Sequence, residues 1–402
     1  NNLSKEDIEF LFSPQAIRES TLKLFKLTED GKTNFNLHLE KLEEVVEFVI
    51  NVIDKAYPDY DIPFHSRWNH FNVGDVNRVQ KLEKVIKSDE PLERARKKID
   101  LVITSVLLDA GAGKSWSYQN NEGTFDRSEG LAVASFDLFM SKRLSSDGRY
   151  KADAQALKKF SKEELKKAFQ VSEKNPLVGV EGRVELLNNL GECILDKPKF
   201  FPSKRPGSII DFLIKEHGYD FEVKDILSGV LIALGDIWPG RIKVDNVNLG
   251  DVWHYRQLGE DISKESLVCF HKLSQWLTYS LVSPMEEAGL KISGAEKLTG
   301  LAEYRNGGLF LDMGVISLKD SNMQLLEHKP ESELIIEWRA LTICLLDLLA
   351  EKIQSKLEMT SKQFPLAKVL EGGTWAAGRE VAKRLRKDGA APLTLSSDGT
   401  VF

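Results

Sequence analysis

FHKLSQWLTYSLVSPMEEAGL (residues 270–290) and LTGLAEYRNGGLFLDMG (residues 298–314) decide the class of fold. In the first, Phe270, Leu273, Leu277, Leu281 and Met285 recur at three and four residues, which lays an apolar stripe along a helix. His271, Gln275 and Tyr279 recur at four and lay a polar stripe beside it. A histidine, an amide and a phenol, with Lys272 the single lysine, are not the makeup of a solvated face. In the second stretch the periodicity lapses. Glu303, Tyr304, Arg305 and Asn306 run into Gly307-Gly308, which reads as two opposite charges held on a sharp turn.

Helical periods recur on both sides. Residues 13–55 read as helical, with Ser13-Pro14 as the start and Leu42, Val45, Val46 and Val49 on one face. Ile99–Leu107, LAVASFDLFM (131–140), LVGVEGRVELLNNLGECIL (177–195) and DILSGVLIALGDIWPGRI (225–242) read the same way, the last turning at Pro239-Gly240. ELIIEWRALTICLLDLLAEKI (333–353) is apolar nearly all round and is expected to be buried. Glu337, Trp338 and Arg339 inside it then need partners, and the two charges read as an ion pair. Strand character is confined to short pieces, RIKVDNVNL (241–249) and LTLSSDGTVF (393–402). No GxGxxG, Walker loop, GxSxG or fixed-period repeat occurs. The expectation is a mainly α, multi-helical fold with a few short strands. The loop PSKRPGS (202–208) marks an internal boundary, giving helical parts 1–201 and 202–402 that form one compact unit with the site between them.

The 402 residues are 42% hydrophobic and 29% charged, enough for a sizeable core. A net charge of −6 argues against nucleic acid as a partner. No apolar run reaches the roughly 18 residues of a membrane span. NNLSKEDIEF at the start is neither basic nor a hydrophobic signal core. Cys193, Cys269 and Cys344 lie far apart in apolar runs, as reduced thiols of a cytoplasmic protein do. The seven histidines show no HExxH spacing, so neither a metal nor a cofactor is expected.

Several loops concentrate chemistry. DIPFHSRWNHF (61–71) packs His65, Arg67 and Trp68 into a ring-rich stretch whose rings need burial and whose polar groups need partners. Asp109 follows a helix C-terminus, the unfavourable end of the dipole for an anion. SWSYQNNEGTFDRSEG (115–130) reads as a loop closed by Arg127, Ser128 and Glu129, with Glu129 in the first turn of the next helix. Asp137 inside that helix is paired or functional. Gly372-Gly373-Thr374 reads as a helix start capped by Thr374, whose free N–H groups would suit an anion, with Trp375, Arg379 and Lys383 beyond it.

These motifs, with SPQAIRES, LLDAGAG, IWPGR, DVWH, EWRALT, GGTWAAGR and SSDGTVF in order along the chain, resemble the uracil catabolism protein 4 / uracil-regulated protein 3 family of fungi and bacteria. The resemblance implies a role in pyrimidine degradation through a ribosylated, ring-opened urea compound. NPLVGVEGRVELLNNLGE, LTGLAEYRNGGLFLDMGVI and SELIIEWRALTICLL are also similar in layout to the queuosine salvage proteins. That similarity implies a DNA-glycosylase-like helical core and cleavage of an N-ribosidic bond in a nucleoside monophosphate. An Asp stands there in place of Glu303, Lys272 and Gln275 match, and an acidic residue on the preceding helix is replaced here by Ser280.

Breaking a C1′–N bond passes through an oxocarbenium-like transition state, which a carboxylate stabilises. Glu303 is the expected carboxylate, and His271 or His65 the expected proton donor to the leaving nitrogen. Lys272, Arg305 and the Gly372–Thr374 helix start would take a 5′-phosphate. Trp68, Trp276 and Trp375 would wall the pocket. His65, Arg67, Asp109, Arg127, Glu129, Gln275, Tyr279, Trp338 and Arg339 complete the substrate-binding set. The partner expected is a small nucleobase or nucleotide-derived substrate. The alternatives are uracil phosphoribosyl transfer and a non-catalytic pathway partner or regulator.

Overall fold

The computed structural model describes residues 3–238 and 241–396. The Pro239-Gly240 turn and the last six residues of LTLSSDGTVF lie outside the described residues. Helices cover 57% of the protein, against the roughly one third usual in globular proteins. The fold is mainly α, as the periodicity predicts. Among the described residues the strands are two to four residues long and pair only two by two. The chain divides into two compact units, each built from separate stretches. Among the described residues the first comprises 3–65, 242–275 and 294–396, and the second 66–238, 241 and 276–293.

The first unit is arranged on the helix Glu333–Lys356, started by Ser332, whose hydroxyl accepts from the Ile335 N–H. It is buried through most of its length, as an all-round apolar sequence must be. The helices Pro14–Glu29, Leu42–Ala56 and Tyr304–Asp312 pack on it. Ser13 caps the first of these, with Pro14 at the first helical position. Residues 30–41, read as helical, instead carry the strand Phe35–Leu37, which pairs antiparallel with Ile316–Leu318.

Two glycine readings are corrected in this unit. Gly307 and Gly308 lie inside the helix Tyr304–Asp312, not on a turn. They are small because neighbours approach: a Cβ on Gly307 would meet the Trp338 ring at 2.8 Å, and one on Gly308 would meet Pro392 at 3.1 Å. Gly372, Gly373 and Thr374 lie in the π-turn Leu370–Thr374, within a continuous helical run from Leu366 to Leu385. Thr374 has helical φ and ψ and caps nothing. A Cβ at Gly373 would lie 2.5 Å from Val49, and one at Gly372 2.8 Å from Ile62. Close helix packing explains the glycines, and no exposed helix start is left to take an anion.

The second unit contains the helices Pro91–Leu107, Arg127–Met140, Val180–Asp196 and Val223–Leu234. The stretch read as a loop before Arg127 is a β-hairpin, Ser117–Asn120 with Gly123–Asp126. Asp137, flagged as paired or functional, is paired: it accepts from the Tyr118 hydroxyl at 2.7 Å and from Asn120 at 3.1 Å. The 202–208 loop is bolted to the Pro91–Leu107 helix. Asp100, fully buried, accepts from Arg205 Nη2 at 2.7 Å and from the Gly207 N–H at 2.6 Å.

The helix Lys272–Glu287 contributes its first turn to the first unit and the rest to the second. Pro284 sits inside it. Proline has no N–H, so the Ser280 carbonyl four residues earlier loses its helical donor. Trp68 Nε1 donates to that carbonyl at 2.7 Å. The Ser280 hydroxyl meanwhile accepts the Arg67 backbone N–H at 3.0 Å. Ser280 thus docks the Arg67–Trp68 segment.

Candidate functional site

Ten of the sequence-predicted site residues lie in the first unit, several of them around Asp251 and Glu303. Asp251, which sequence reading did not single out, is the electrostatic centre. Its carboxylate accepts from Arg339 Nη1 at 2.7 Å and Nη2 at 2.9 Å, from Trp253 Nε1 at 2.6 Å, and from the Lys272 N–H at 3.0 Å. Burial pushes the Asp251 carboxyl up, but Arg339 and these hydrogen bonds outweigh it and hold the group well below the usual carboxylate range. Arg339 also donates Nε to the Ala302 carbonyl at 3.1 Å and lies 4.1 Å from the centre of the Phe270 ring. The expected Glu337–Arg339 pair is not made. Glu337 accepts from the Tyr255 hydroxyl at 2.5 Å and from Asn34, and Trp338 Nε1 donates to the Gly307 carbonyl at 3.0 Å.

The approach to Glu303 is fixed at successive points. Arg18 donates to the carbonyls of Lys297 and Leu298 at 2.6 and 2.9 Å. Gln275, fully buried, donates to the Thr299 hydroxyl at 2.8 Å and accepts the Thr299 N–H at 3.1 Å. Arg339 holds Ala302, as above. Glu303 then caps the helix Tyr304–Asp312, its two carboxylate oxygens accepting the N–H groups of Arg305 at 2.8 Å and Asn306 at 2.6 Å. It is 7% exposed. A helix N-terminus favours a negative charge, and two backbone donors fix its orientation. Arg305 Nη1 is turned to the Gly389 carbonyl at 2.8 Å. Thr374 donates its hydroxyl to Asn306 Oδ1 at 2.9 Å.

Both candidate histidines have assignable hydrogens. His65 Nδ1 lies 2.7 Å from Glu371 Oε2. An ionised carboxylate only accepts, so Nδ1 carries the hydrogen. Trp375 stands one helical turn beyond Glu371, with its ring 6.4 Å from the His65 ring, and Arg379 stacks on it at 5.5 Å. His271 is buried, and its Nε2–H donates to the Leu11 carbonyl at 2.7 Å. Its Nδ1 has no hydrogen-bond partner among the described residues. Burial pushes its pKa below the usual histidine value. Its φ is +47°, a left-handed conformation that costs a non-glycine residue about 1–2 kcal/mol.

The second unit holds the other predicted residues. Arg67 is fully buried: Nη1 donates to Asp109 at 2.5 Å and Nε to the Ser105 hydroxyl at 2.7 Å. Ser128 adds its hydroxyl to Asp109 at 2.6 Å. Asp109 therefore sits against a helix C-terminus because a guanidinium compensates it. Arg67 also lies 5.5 Å from the Trp276 ring. Arg127 and Glu129 occupy the first turn of the Arg127–Met140 helix, Arg127 at φ +53°. Tyr279 is buried. The structure thus assembles Gln275, His271, Arg339 and Glu303 with their partners in one unit, and Arg67, Asp109 and Ser128 in the other.

These observations define a mainly helical protein whose buried polar residues converge on ion-paired carboxylates. A family model described as "Protein of unknown function (DUF1688)" matches residues 10–402, and the chain belongs to this family. It is 39% identical to "Uracil catabolism protein 4" of Lachancea kluyveri, over 98% of this chain and 99% of that one. It is also 39% identical to "Protein urg3" of Schizosaccharomyces pombe (strain 972 / ATCC 24843), over the full length of both. No helix among the described residues is long and apolar enough to cross a membrane.

Proposed function

We propose that the protein acts in uracil catabolism as an N-ribosyl hydrolase on a uridine- or ribosylurea-type 5′-phosphate. The name of the Lachancea kluyveri relative supports the pathway. The observation that carries the chemistry is the Glu303 carboxylate, buried and held on two backbone N–H groups at a helix start. A carboxylate that cannot swing is preorganised to face a developing oxocarbenium charge at the ribose C1′. The clamps of Arg18, Gln275 and Arg339 on residues 297–302 serve that positioning.

The leaving nitrogen needs a proton. Of the two candidate donors, His271 is kept neutral by burial and has committed its one N–H to Leu11. Its Nδ1 is an acceptor, suited to a hydroxyl of ribose or an attacking water. His65 is the better candidate for the donor: Glu371 accepts from Nδ1 and fixes the orientation of the ring. Asp251 and Arg339 are positioning residues, acting through Lys272 and Ala302. The test is incubation of the purified protein with uridine 5′-phosphate, uridine and ribosylurea 5′-phosphate, with products resolved by chromatography. Free base or urea together with ribose 5-phosphate, from the two phosphorylated compounds, is the result expected. No release from any of the three would dismiss the reading.

A further inference from the structure

Arg183 has hydrogen-bonding capacity that the protein does not use. It sits on the first turn of the Val180–Asp196 helix and is fully buried. Its Nη2 donates to the carbonyls of Ala110 and Gly111, the latter at 3.1 Å. Its Nε and Nη1 have no hydrogen-bond partner among the described residues. A buried N–H without an acceptor forfeits the hydrogen bond it made with water, and a charged donor forfeits more. The charge is under-compensated as well. Asp109 is the carboxylate acting on Arg183, and that carboxylate already accepts from Arg67 at 2.5 Å and from Ser128 at 2.6 Å. Two buried guanidiniums thus share one aspartate. Burial lowers Arg183 to about 10, which leaves it positive at neutral pH.

Water could accept those N–H bonds but would bring no charge. An oxyanion brings both, and guanidinium is the side chain best suited to phosphate oxygens. The loop that carries the Ala110 and Gly111 carbonyls has a restricted course: Gly113 is at φ +86°, and a Cβ there would meet Val178 at 2.7 Å. We propose that Arg183 is a phosphate-binding residue, its Nε and Nη1 N–H groups receiving the oxygens of inorganic phosphate or of a phosphate monoester. The inference stands on the second unit alone and does not depend on the role given to Glu303.

The test is calorimetric titration of the full-length protein with inorganic phosphate, uridine 5′-phosphate and uridine. The first two bind, and uridine binds at least about tenfold more weakly than its 5′-phosphate. Arg183→Lys keeps a charge but loses the spare donors, and Arg183→Gln loses the charge. Each weakens phosphate and uridine 5′-phosphate by at least about tenfold while uridine is unaffected. Tighter binding of the monoester than of inorganic phosphate identifies the monoester as the source, and the reverse identifies the free ion. Uridine binding as well as its 5′-phosphate, or both variants binding phosphate normally, overturns the proposal. Should both variants unfold, a crystal structure of the wild-type protein grown with phosphate decides. Density for phosphate at Nε and Nη1 supports the site, and water or nothing there overturns it.

Discussion

Asp251 shows what a single residue contributes and why it was hidden. Its Arg339 and Lys272 partners stand 88 and 21 residues away, and nothing in DVWH signals a buried pair. The Arg339 side chain is 3% exposed, so removing the aspartate charge strands a guanidinium. Asp251→Asn should cost about 3–5 kcal/mol by urea unfolding, and a loss under about 1 kcal/mol would reduce the pair to a surface-like contact. His271 gives a pH signature. Its folded pKa is depressed by burial, so below about 6.5 the unfolded chain takes up a proton that the folded ring refuses. The contribution is therefore present above about pH 6.5 and is lost progressively as the pH falls. His271→Gln, which keeps a donor for Leu11, should flatten the stability curve between about pH 6.5 and 5. Identical slopes for the two proteins would mean that the ring is charged when folded. His65 was legible from the ring-rich stretch around it. Its partner Glu371 was not, because Gly372-Gly373-Thr374 reads as a helix start, with Glu371 before it, when the packing of Val49 and Ile62 is unknown.

At the scale of elements, periodicity located the helices and glycine misled. Gly307-Gly308 carries the turn signature and Gly372-Gly373-Thr374 that of a helix start, yet both pairs lie within helical runs where tertiary neighbours approach the backbone. Gly378 makes a closer contact than either pair: an added Cβ would lie 2.1 Å from the Arg305 carbonyl oxygen. Backbone cannot rotate aside as a side chain does, so Gly378→Ala should destabilise by about 1–3 kcal/mol or more, seen as a lowered Tm. An unchanged Tm would show that the two helices slide freely. Pro284 yields a coupled test. Trp68→Phe alone leaves the Ser280 carbonyl without its donor, at a cost of about 1–3 kcal/mol. In Trp68→Phe with Pro284→Ala, the restored N–H at position 284 can reclaim that carbonyl. The double variant should then lose less than the single changes sum to, and strict additivity would disprove the link.

For the whole molecule, the helical class was legible because long apolar stripes do not depend on knowing what they pack against. The assembly was less so. Both units are made of separated stretches, and the first needs residues 3–65, 242–275 and 294–396 together. A chain ended at 201 carries only the first of these three, so it should show no cooperative unfolding transition by circular dichroism, whereas a sharp transition would make it an autonomous domain. The central claim is that Glu303 faces the ribose C1′ in N-ribosidic cleavage. The most direct measurement compares wild type and Glu303→Gln on uridine 5′-phosphate and ribosylurea 5′-phosphate, recording both turnover and binding. Gln keeps an oxygen for the helix cap and removes the charge. The account predicts ribose 5-phosphate release by the wild type, about 100- to 1,000-fold slower turnover in the variant, and nearly unchanged binding. Near-normal turnover in Glu303→Gln, or no ribose 5-phosphate from the wild type, would contradict it.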